Sequence, residues 1–216
     1  MTVVALIPVK ELPQAKARLA PVLEDGARRD LVLAMLRDVL AAATGCPAID
    51  GVAVVSRDED VLAIAHEAGA EGLPEPGGLN EALESASRRV AERGATRILV
   101  LAADLPLARS DDVARALAAD GDIVVVPSVD GGTNALACAP GALPFHFGRE
   151  SAAHHLAAAQ EARLRAERLD VPALALDIDT PEHLERLRGE IDRGAAAGAH
   201  TRAALERLGL IAPAVR

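Results

Sequence analysis

The sequence predicts an α/β protein in which helices cover both faces of a mostly parallel central sheet. Short aliphatic runs alternate along the chain with segments that carry apolar residues at helical spacing. Half of the residues are hydrophobic but only 1% are aromatic, so the core must be built from aliphatic side chains. A length of 216 residues suits one domain. We therefore expect a single-domain, three-layer α/β fold.

The elements follow one another in a regular order over the first 128 residues. VVALIPV at the N-terminus predicts the first strand, and further central strands are predicted over residues 51–56, 97–103 and 122–128. Helical spacing predicts helices over residues 25–43, 58–69, 79–93 and 110–119. Ser110 is expected to be the N-cap of the last of these helices.

The regular alternation ends after Ser128. DGGTNALACAP predicts a glycine turn and a short strand, LPFHFGRES a loop, SAAHHLAAAQEA a helix and RLRAERLD a strand. Thr180 and Pro181 are expected to open the next helix as N-cap and first helical residue. We divide the chain into a domain over residues 1–190 and an Ala-rich extension over residues 191–216, expected to be helical or partly ordered.

Composition and charge exclude several classes of function. The net charge of −9 and the absence of Trp and Tyr argue against a nucleic-acid partner. No apolar run approaches membrane-spanning length, and the N-terminal run is too short for a signal peptide, so we expect a cytoplasmic protein without a membrane partner. Cys46 and Cys138 are too few and too far apart for a zinc site or a disulfide framework, which favours buried thiols.

A group of cations follows the first strand. In open α/β sheets ligands bind beyond the carboxyl ends of strands, and IPVKELPQAKARL places Lys10, Lys16 and Arg18 there, in a loop that contains Pro8 and Pro13. Three cations would neutralise a triphosphate, although neither G-x-x-x-x-G-K nor G-x-G-x-x-G is present. The alternative is a solvated basic loop.

Carboxylates follow two other apolar runs. Asp104 comes directly after RILVLAA, and Asp177 and Asp179 lie in LALDIDTPEHL after an apolar run, where we expect a strand end. In an extended segment, residues two apart point to the same side. If both groups reach the same sheet edge, three carboxylates would hold Mg²⁺, which prefers oxygen ligands. Alternatively, Asp179 caps the following helix and Asp177 is solvated.

Small polar residues accompany three flexible stretches. PEPGGLNEAL places a Gly-Gly turn before a helix that carries Asn80, where backbone N–H groups would bind a base or an anion. DGGTNAL and FGRES offer Thr133, Gly148 and Ser151 as donors for an anionic substrate. Ordinary turns and caps explain the same residues. His154 and His155 are adjacent and so face different sides of a helix, which favours structural roles.

Six motifs in this order resemble one known family: IPVK with AKARL, PEPGGLNEAL, LAADLP, DGGTNAL, FGRES and LDIDTPEHL. They resemble the phosphoenolpyruvate and 2-phospho-L-lactate guanylyltransferases of deazaflavin coenzyme F-420 biosynthesis, over about residues 3–187. The resemblance implies a nucleotidyltransferase-like, Rossmann-like fold. It also implies transfer of GMP from GTP to a small phosphoacid, with Mg²⁺ as cofactor and release of pyrophosphate.

The resemblance also assigns roles to individual residues. It implies catalytic cations at Lys10, Lys16 and Arg18. It implies nucleotide contacts from these three cations and from Pro8, Glu75, Gly78, Leu79, Asn80 and Asp104. It implies acceptor contacts from Thr133, Gly148 and Ser151, and metal ligation by Asp104, Asp177 and Asp179. Ala17 departs from the family pattern, in which many relatives carry Ser or Thr.

Other functions stay open at this point. The acceptor would instead be 3-phospho-D-glycerate, a sugar phosphate or a pterin, or the chain would be a non-catalytic nucleotide-binding protein. GTP and a phosphoacid are the expected partners. A homodimer and handover of the product to the downstream deazaflavin transferase are further partner hypotheses.

Overall fold

The computed structural model describes residues 1–12, 16–74 and 77–213. Seven strands in this part of the chain form one sheet. They are β1 (Val3–Pro8), β2 (Gly51–Val55), β3 (Glu71–Leu73), β4 (Arg97–Leu101), β5 (Ile123–Pro127), β6 (Thr133–Cys138) and β7 (Ala166–Arg168). The sheet order is β3-β2-β1-β4-β6-β5-β7, and all pairings are parallel except those of β6 with β4 and β5. The predicted mostly parallel sheet is confirmed.

Helices cover both faces of this sheet. They are α1 (Asp25–Thr44), α2 (Glu59–Glu67), α3 (Leu79–Glu92), α4 (Ser110–Ala118), α5 (Ser151–Glu161), α6 (Pro172–Ala175), α7 (Pro181–Asp192) and α8 (Ala199–Arg207). Side chains of β1 alternate between two aliphatic cores. Ala5 and Ile7 belong to the core that also holds buried residues of α1, α2, α4, α7 and α8, whereas Leu6 belongs to the core that holds those of α3 and α5. The expected three-layer arrangement is therefore present. In the described residues, no helix combines the length and the hydrophobicity that a membrane span requires.

Three local predictions differ from the structure. The strand β3 was not predicted. The run VPALAL before Asp177 does not end in a sheet strand: Pro172 begins the short helix α6, because a proline without an N–H suits a first helical turn. Ser110 is the first residue of α4 rather than its N-cap, a position that Arg109 occupies. The predicted caps at Thr180 and Pro181 are confirmed.

The antiparallel strand β6 decides which residues meet at the ligand-binding edge. A tight turn after β5 reverses the chain: the Ser128 N–H donates to the Gly132 carbonyl at 2.9 Å, and the Gly132 N–H donates to Ser128 Oγ at 2.8 Å. Gly131 adopts φ 81°, a conformation that favours glycine. Because β6 runs backwards, Thr133 and Asn134 at its start lie beside the carboxyl ends of β1 and β4.

The C-terminal region continues the fold. Helix α7 extends to Asp192, and α8 lies against α1. The buried carboxylate of Asp38 on α1 accepts hydrogen bonds from the His200 N–H at 3.0 Å and the Thr201 N–H at 2.7 Å. A side chain from another helix thus satisfies the first amides of α8, which would otherwise lack partners within the helix.

Replacement of Asp38 by Ala should release α8 from α1. One buried and one partly buried amide lose their acceptor, so we expect the free energy of unfolding to fall by about 1–3 kcal/mol. Hydrogen exchange should accelerate at His200 and Thr201. The matched variant Asp38→Asn keeps one acceptor oxygen and should cost less. Unchanged exchange at both amides in Asp38→Ala would contradict this role.

Candidate active site

A cleft of about 730 Å³ opens at the sheet edge where β1 and β4 end and β6 begins. Most of the residues predicted from the sequence line it. These are Pro8, Lys10, Lys16, Arg18, Leu79, Asp104, Thr133, Gly148, Ser151, Asp177 and Asp179. Among the described residues, Gly78 and Asn80 lie outside this lining. Glu75 and Pro13 lie outside the described residues.

The three predicted carboxylates converge. One oxygen from each of Asp104, Asp177 and Asp179 lies within 4.8 Å of the others. The Ile178 N–H donates to the Asp104 carbonyl at 3.3 Å, which anchors the segment beside the end of β4. Asp177 and Asp179 flank this anchor and point to the same side, as the two-residue spacing predicted. Thr180, not Asp179, caps α7 by accepting the His183 N–H at 3.3 Å.

The ammonium of Lys16 bridges two of these acids. Its Nζ contacts Asp104 and lies 2.6 Å from Asp179 Oδ1, and its side chain is only 9% exposed. Burial alone would lower the pKa of Lys16, but the charges of Asp104 and Asp179 outweigh this effect and raise the pKa above its ordinary value. Lys16 therefore stays protonated. It adopts a left-handed backbone conformation with φ 56°.

The acids at positions 177 and 179 have opposite electrostatic surroundings. Burial favours protonation of Asp179, yet the Lys16 ammonium holds the pKa of this carboxyl below its usual range. For Asp177, burial and then the charge of Asp104 raise the pKa, with the 3.1 Å hydrogen bond from Asn134 opposing them. Three carboxylates outnumber the one buried ammonium, so the cluster retains unbalanced negative charge.

This donor set fits a divalent cation. Hard cations such as Mg²⁺ and Ca²⁺ take carboxylate oxygens as ligands, and the charge of a bound cation would remove the penalty on ionised Asp177. Lys10 and Arg18 are exposed at the same cleft. Burial raises the pKa of Asp179, whereas the charges of Lys16 and Arg18 both lower it. The cleft thus combines acids that suit a metal with cations that suit phosphates.

The other end of the cleft carries hydroxyl groups. Thr133 at the start of β6 lies 2.9 Å, oxygen to oxygen, from Ser151 at the start of α5. The buried ring of His155 contacts this pair, with its Nδ1 atom 3.1 Å from Thr133 Oγ1. Gly148 adopts φ 140°, outside the range that other residues normally accept. Thr133, Ser151 and Gly148 form a small polar pocket, here called the hydroxyl pocket, in the lining of the same cleft.

Asn80 makes a contact within the protein that the sequence did not predict. Its amide oxygen accepts the Phe147 N–H at 2.8 Å, and its amide nitrogen donates to the Phe147 carbonyl at 3.2 Å. Both ends of the side chain are thus engaged with the segment that carries Gly148. The structure shows Asn80 tying this segment to α3, and nucleotide contact by Asn80 stays a prediction.

Several cleft residues were not singled out from the sequence. Asn134 is buried and donates from its amide nitrogen to the Leu174 carbonyl at 3.0 Å as well as to Asp177. Outside the lining, His183 accepts the Asp179 N–H at Nδ1 and lies 3.2 Å from Asp130 at Nε2. Arg149, Phe147 and Ser128 also line the cleft. Asn134, Asp130, Arg149 and Phe147 lie within or beside DGGTNAL and FGRES, so those motifs were the available signal.

The buried His155 should make stability depend on pH. Burial, and then the charges of His146 and His154, lower the pKa of His155 from 6.5 to about 4. The unfolded chain therefore takes up this proton first as pH falls, and the stabilisation present above pH 6.5 is lost toward pH 4. We expect the free energy of unfolding to drop by about 1–2 kcal/mol between pH 7.5 and pH 5 from this group.

Denaturant unfolding at both pH values measures this effect. His155→Leu should show a shallower loss, since His146 and His154 remain in both proteins. An identical pH dependence in the two proteins would contradict the assignment.

Comparison with known proteins places the cleft in a family. Residues 3–211 match the family described as "Guanylyl transferase CofC like", which extends beyond the motif resemblance. A phosphoenolpyruvate guanylyltransferase from Rubrobacter xylanophilus is 47% identical over 193 residues, covering 87% of this chain and 94% of that protein. A 2-phospho-L-lactate guanylyltransferase from Methanothermobacter thermautotrophicus is 37% identical, covering 96% and 92%.

Solved structures share the architecture. A nucleotidyl transferase from Methanothermobacter superposes with a TM-score of 0.63 at 18% identity, covering 89% of this chain and 98% of that one. At this identity the likeness shows the fold, which is the nucleotidyltransferase-like fold that the motifs implied. With the family match over nearly the whole length, the chain belongs to the guanylyl transferase CofC-like family.

Proposed function

We propose that this protein transfers GMP from GTP to phosphoenolpyruvate, or to 2-phospho-L-lactate, with Mg²⁺ and release of pyrophosphate, in coenzyme F-420 biosynthesis. One observation carries the proposal: a single cleft holds four cationic side chains, three converging carboxylates and a pair of hydroxyl groups. The names of the relatives support it. The relative at 47% identity is named for phosphoenolpyruvate and the one at 37% for 2-phospho-L-lactate, which favours phosphoenolpyruvate.

The proposed reaction needs little covalent chemistry from the protein. A phosphate oxygen of the acceptor attacks the α-phosphorus of GTP, and the bond from that phosphorus to the α,β-bridging oxygen breaks. Pyrophosphate leaves with the bonding electrons. The nucleophile is already an anion, so no general base is required. The protein contributes positioning and neutralisation of charge.

The cleft residues divide this work between them. Lys10 and Arg18 would bind the phosphates of GTP, and Lys16 would neutralise charge deep in the cleft. Asp104, Asp177 and Asp179 would hold Mg²⁺. When bound, Mg²⁺ supplies further neutralisation of the phosphate oxygens. Thr133, Gly148 and Ser151 would bind the acceptor, and Pro8 and Leu79 would contact the nucleotide.

The proposal also includes two protein partners, the downstream deazaflavin transferase and a second copy of this chain. The product joins GMP to a phosphoacid through a reactive phosphoric anhydride, which favours handover to the downstream deazaflavin transferase. A homodimer is the second assignment. Cosedimentation of the two enzymes during turnover would test the first, and the mass of this protein in solution would test the second.

Pyrophosphate release tests the reaction directly. GTP and Mg²⁺ are supplied with phosphoenolpyruvate, 2-phospho-L-lactate or 3-phospho-D-glycerate separately, and products are identified by mass. We expect turnover with phosphoenolpyruvate and a product whose mass is that of GMP plus the acceptor minus one water. GTP binding without pyrophosphate release under all three conditions would contradict the proposal and favour a non-catalytic nucleotide-binding protein.

Loss of a carboxylate should disable the metal site. Asp177→Asn and Asp104→Asn should each lower kcat at saturating Mg²⁺ on the order of 100-fold or more, because charge neutralisation at the phosphates is lost. Asp170→Asn is a matched control, since Asp170 is an exposed acid in the same segment, outside the cleft lining. Activity near that of wild type in both cleft variants would remove these acids from metal binding.

A further inference from the structure

The hydroxyl pocket rests on a histidine that the proposed chemistry does not use. His155 on α5 is fully buried, and both of its ring nitrogens have polar partners. We propose that His155 is a positioning residue that orients the hydroxyls of Thr133 and Ser151 so that they donate a hydrogen bond to the anionic acceptor. This inference rests on the proposed function and deepens it.

A backbone amide determines which ring nitrogen carries the proton. The His146 N–H donates to Nε2 of His155 at 3.1 Å, so Nε2 must present its lone pair. A neutral imidazole carries one N–H, which is then on Nδ1. Burial and the neighbouring His146 and His154 lower the pKa of His155 to about 4, which keeps the ring neutral. Nδ1 therefore donates to Thr133 Oγ1, 3.1 Å away.

Counting protons shows why this tautomer matters. Thr133 and Ser151 contribute two O–H groups, and one of these is used in the 2.9 Å bond between them. Because His155 donates to the pair, it consumes neither proton, and one O–H remains to be donated. In the opposite tautomer, Nδ1 would accept the second proton. The pair would then offer only lone pairs, which repel an anion.

The remaining donor belongs to a residue of the cleft lining. Ser151 is fully buried, whereas Thr133 keeps 9% exposure, and both line the cleft. With Ser151 and His155 both donating to Thr133, the oxygen of Thr133 has both lone pairs engaged, and its own proton is free for a ligand. A carboxylate or phosphate oxygen of the acceptor is an anionic group that matches this donor.

The His155 ring also contacts the segment before Gly148, which is the segment proposed to bind the acceptor. The Phe147 ring packs on His155 with centroids 4.9 Å apart, and His146 supplies the amide that sets the tautomer. Gly148 follows immediately. The segment that would contact the acceptor therefore also determines that Thr133 and Ser151 can donate a hydrogen bond to the acceptor.

A double-mutant cycle separates positioning from mere packing. His155→Leu should raise the KM for the acceptor about tenfold and leave the KM for GTP within about twofold, since one hydrogen bond to an anion loses its orientation. His155→Asn should recover most of this loss, because its amide N–H takes the place of Nδ1–H. In a Thr133→Val background, His155→Leu should add nothing. His154→Leu, an exposed neighbour on the same helix, is the control.

Equal losses in the Thr133→Val and wild-type backgrounds, or an equal rise in the KM for GTP, would overturn the inference. The tautomer is tested without turnover, by ¹⁵N chemical shifts of His155 in the unliganded protein at pH 7. An unprotonated Nε2 and a protonated Nδ1 support the inference, and a protonated Nε2 overturns it. Absence of turnover in wild type would contradict the proposed function alone, because the tautomer is measured independently.

Discussion

The contact of the Lys16 ammonium with Asp104 and Asp179 joins three distant parts of the chain at the bottom of the cleft. Lys16 comes from the loop after β1, Asp104 from the end of β4, and Asp179 from the segment before α7. Because the Lys16 side chain is only 9% exposed, loss of its acidic partners would leave a largely buried charge uncompensated, which is destabilising. The position of the cleft walls relative to one another depends on this group of charges.

The ion group is also incompletely balanced. Asp177 lies beside Asp104 with an amide from Asn134 as partner rather than an ammonium, and burial, followed by the charge of Asp104, raises its pKa. A structure built only for stability would gain by replacing such an acid with an apolar residue. The proposed cation, bound together with the substrate, would balance this acid.

The reversal of β6 connects the charged end of the cleft with the hydroxyl end. A parallel strand at this position would place its carboxyl end at the edge. The antiparallel strand instead presents Thr133 and Asn134 from its first two residues. Asn134 supports the acids, and Thr133 meets Ser151 and His155. Neighbouring residues of one strand thus serve the proposed metal site and the proposed acceptor site.

The local sequence pattern was sufficient to predict most of the helices and strands, whereas the contacts between side chains depend on the tertiary structure. Aliphatic runs and helical spacing predicted the α/β class, and the two-residue spacing placed Asp177 and Asp179 on one side. The sequence alone did not show that Lys16 lies between Asp104 and Asp179, that Asn80 ties down Phe147, or that His155 supports Thr133. These contacts join residues 22 to 163 positions apart. Only the folded chain brings such groups together, because spacing rules describe neighbours within one helix or strand.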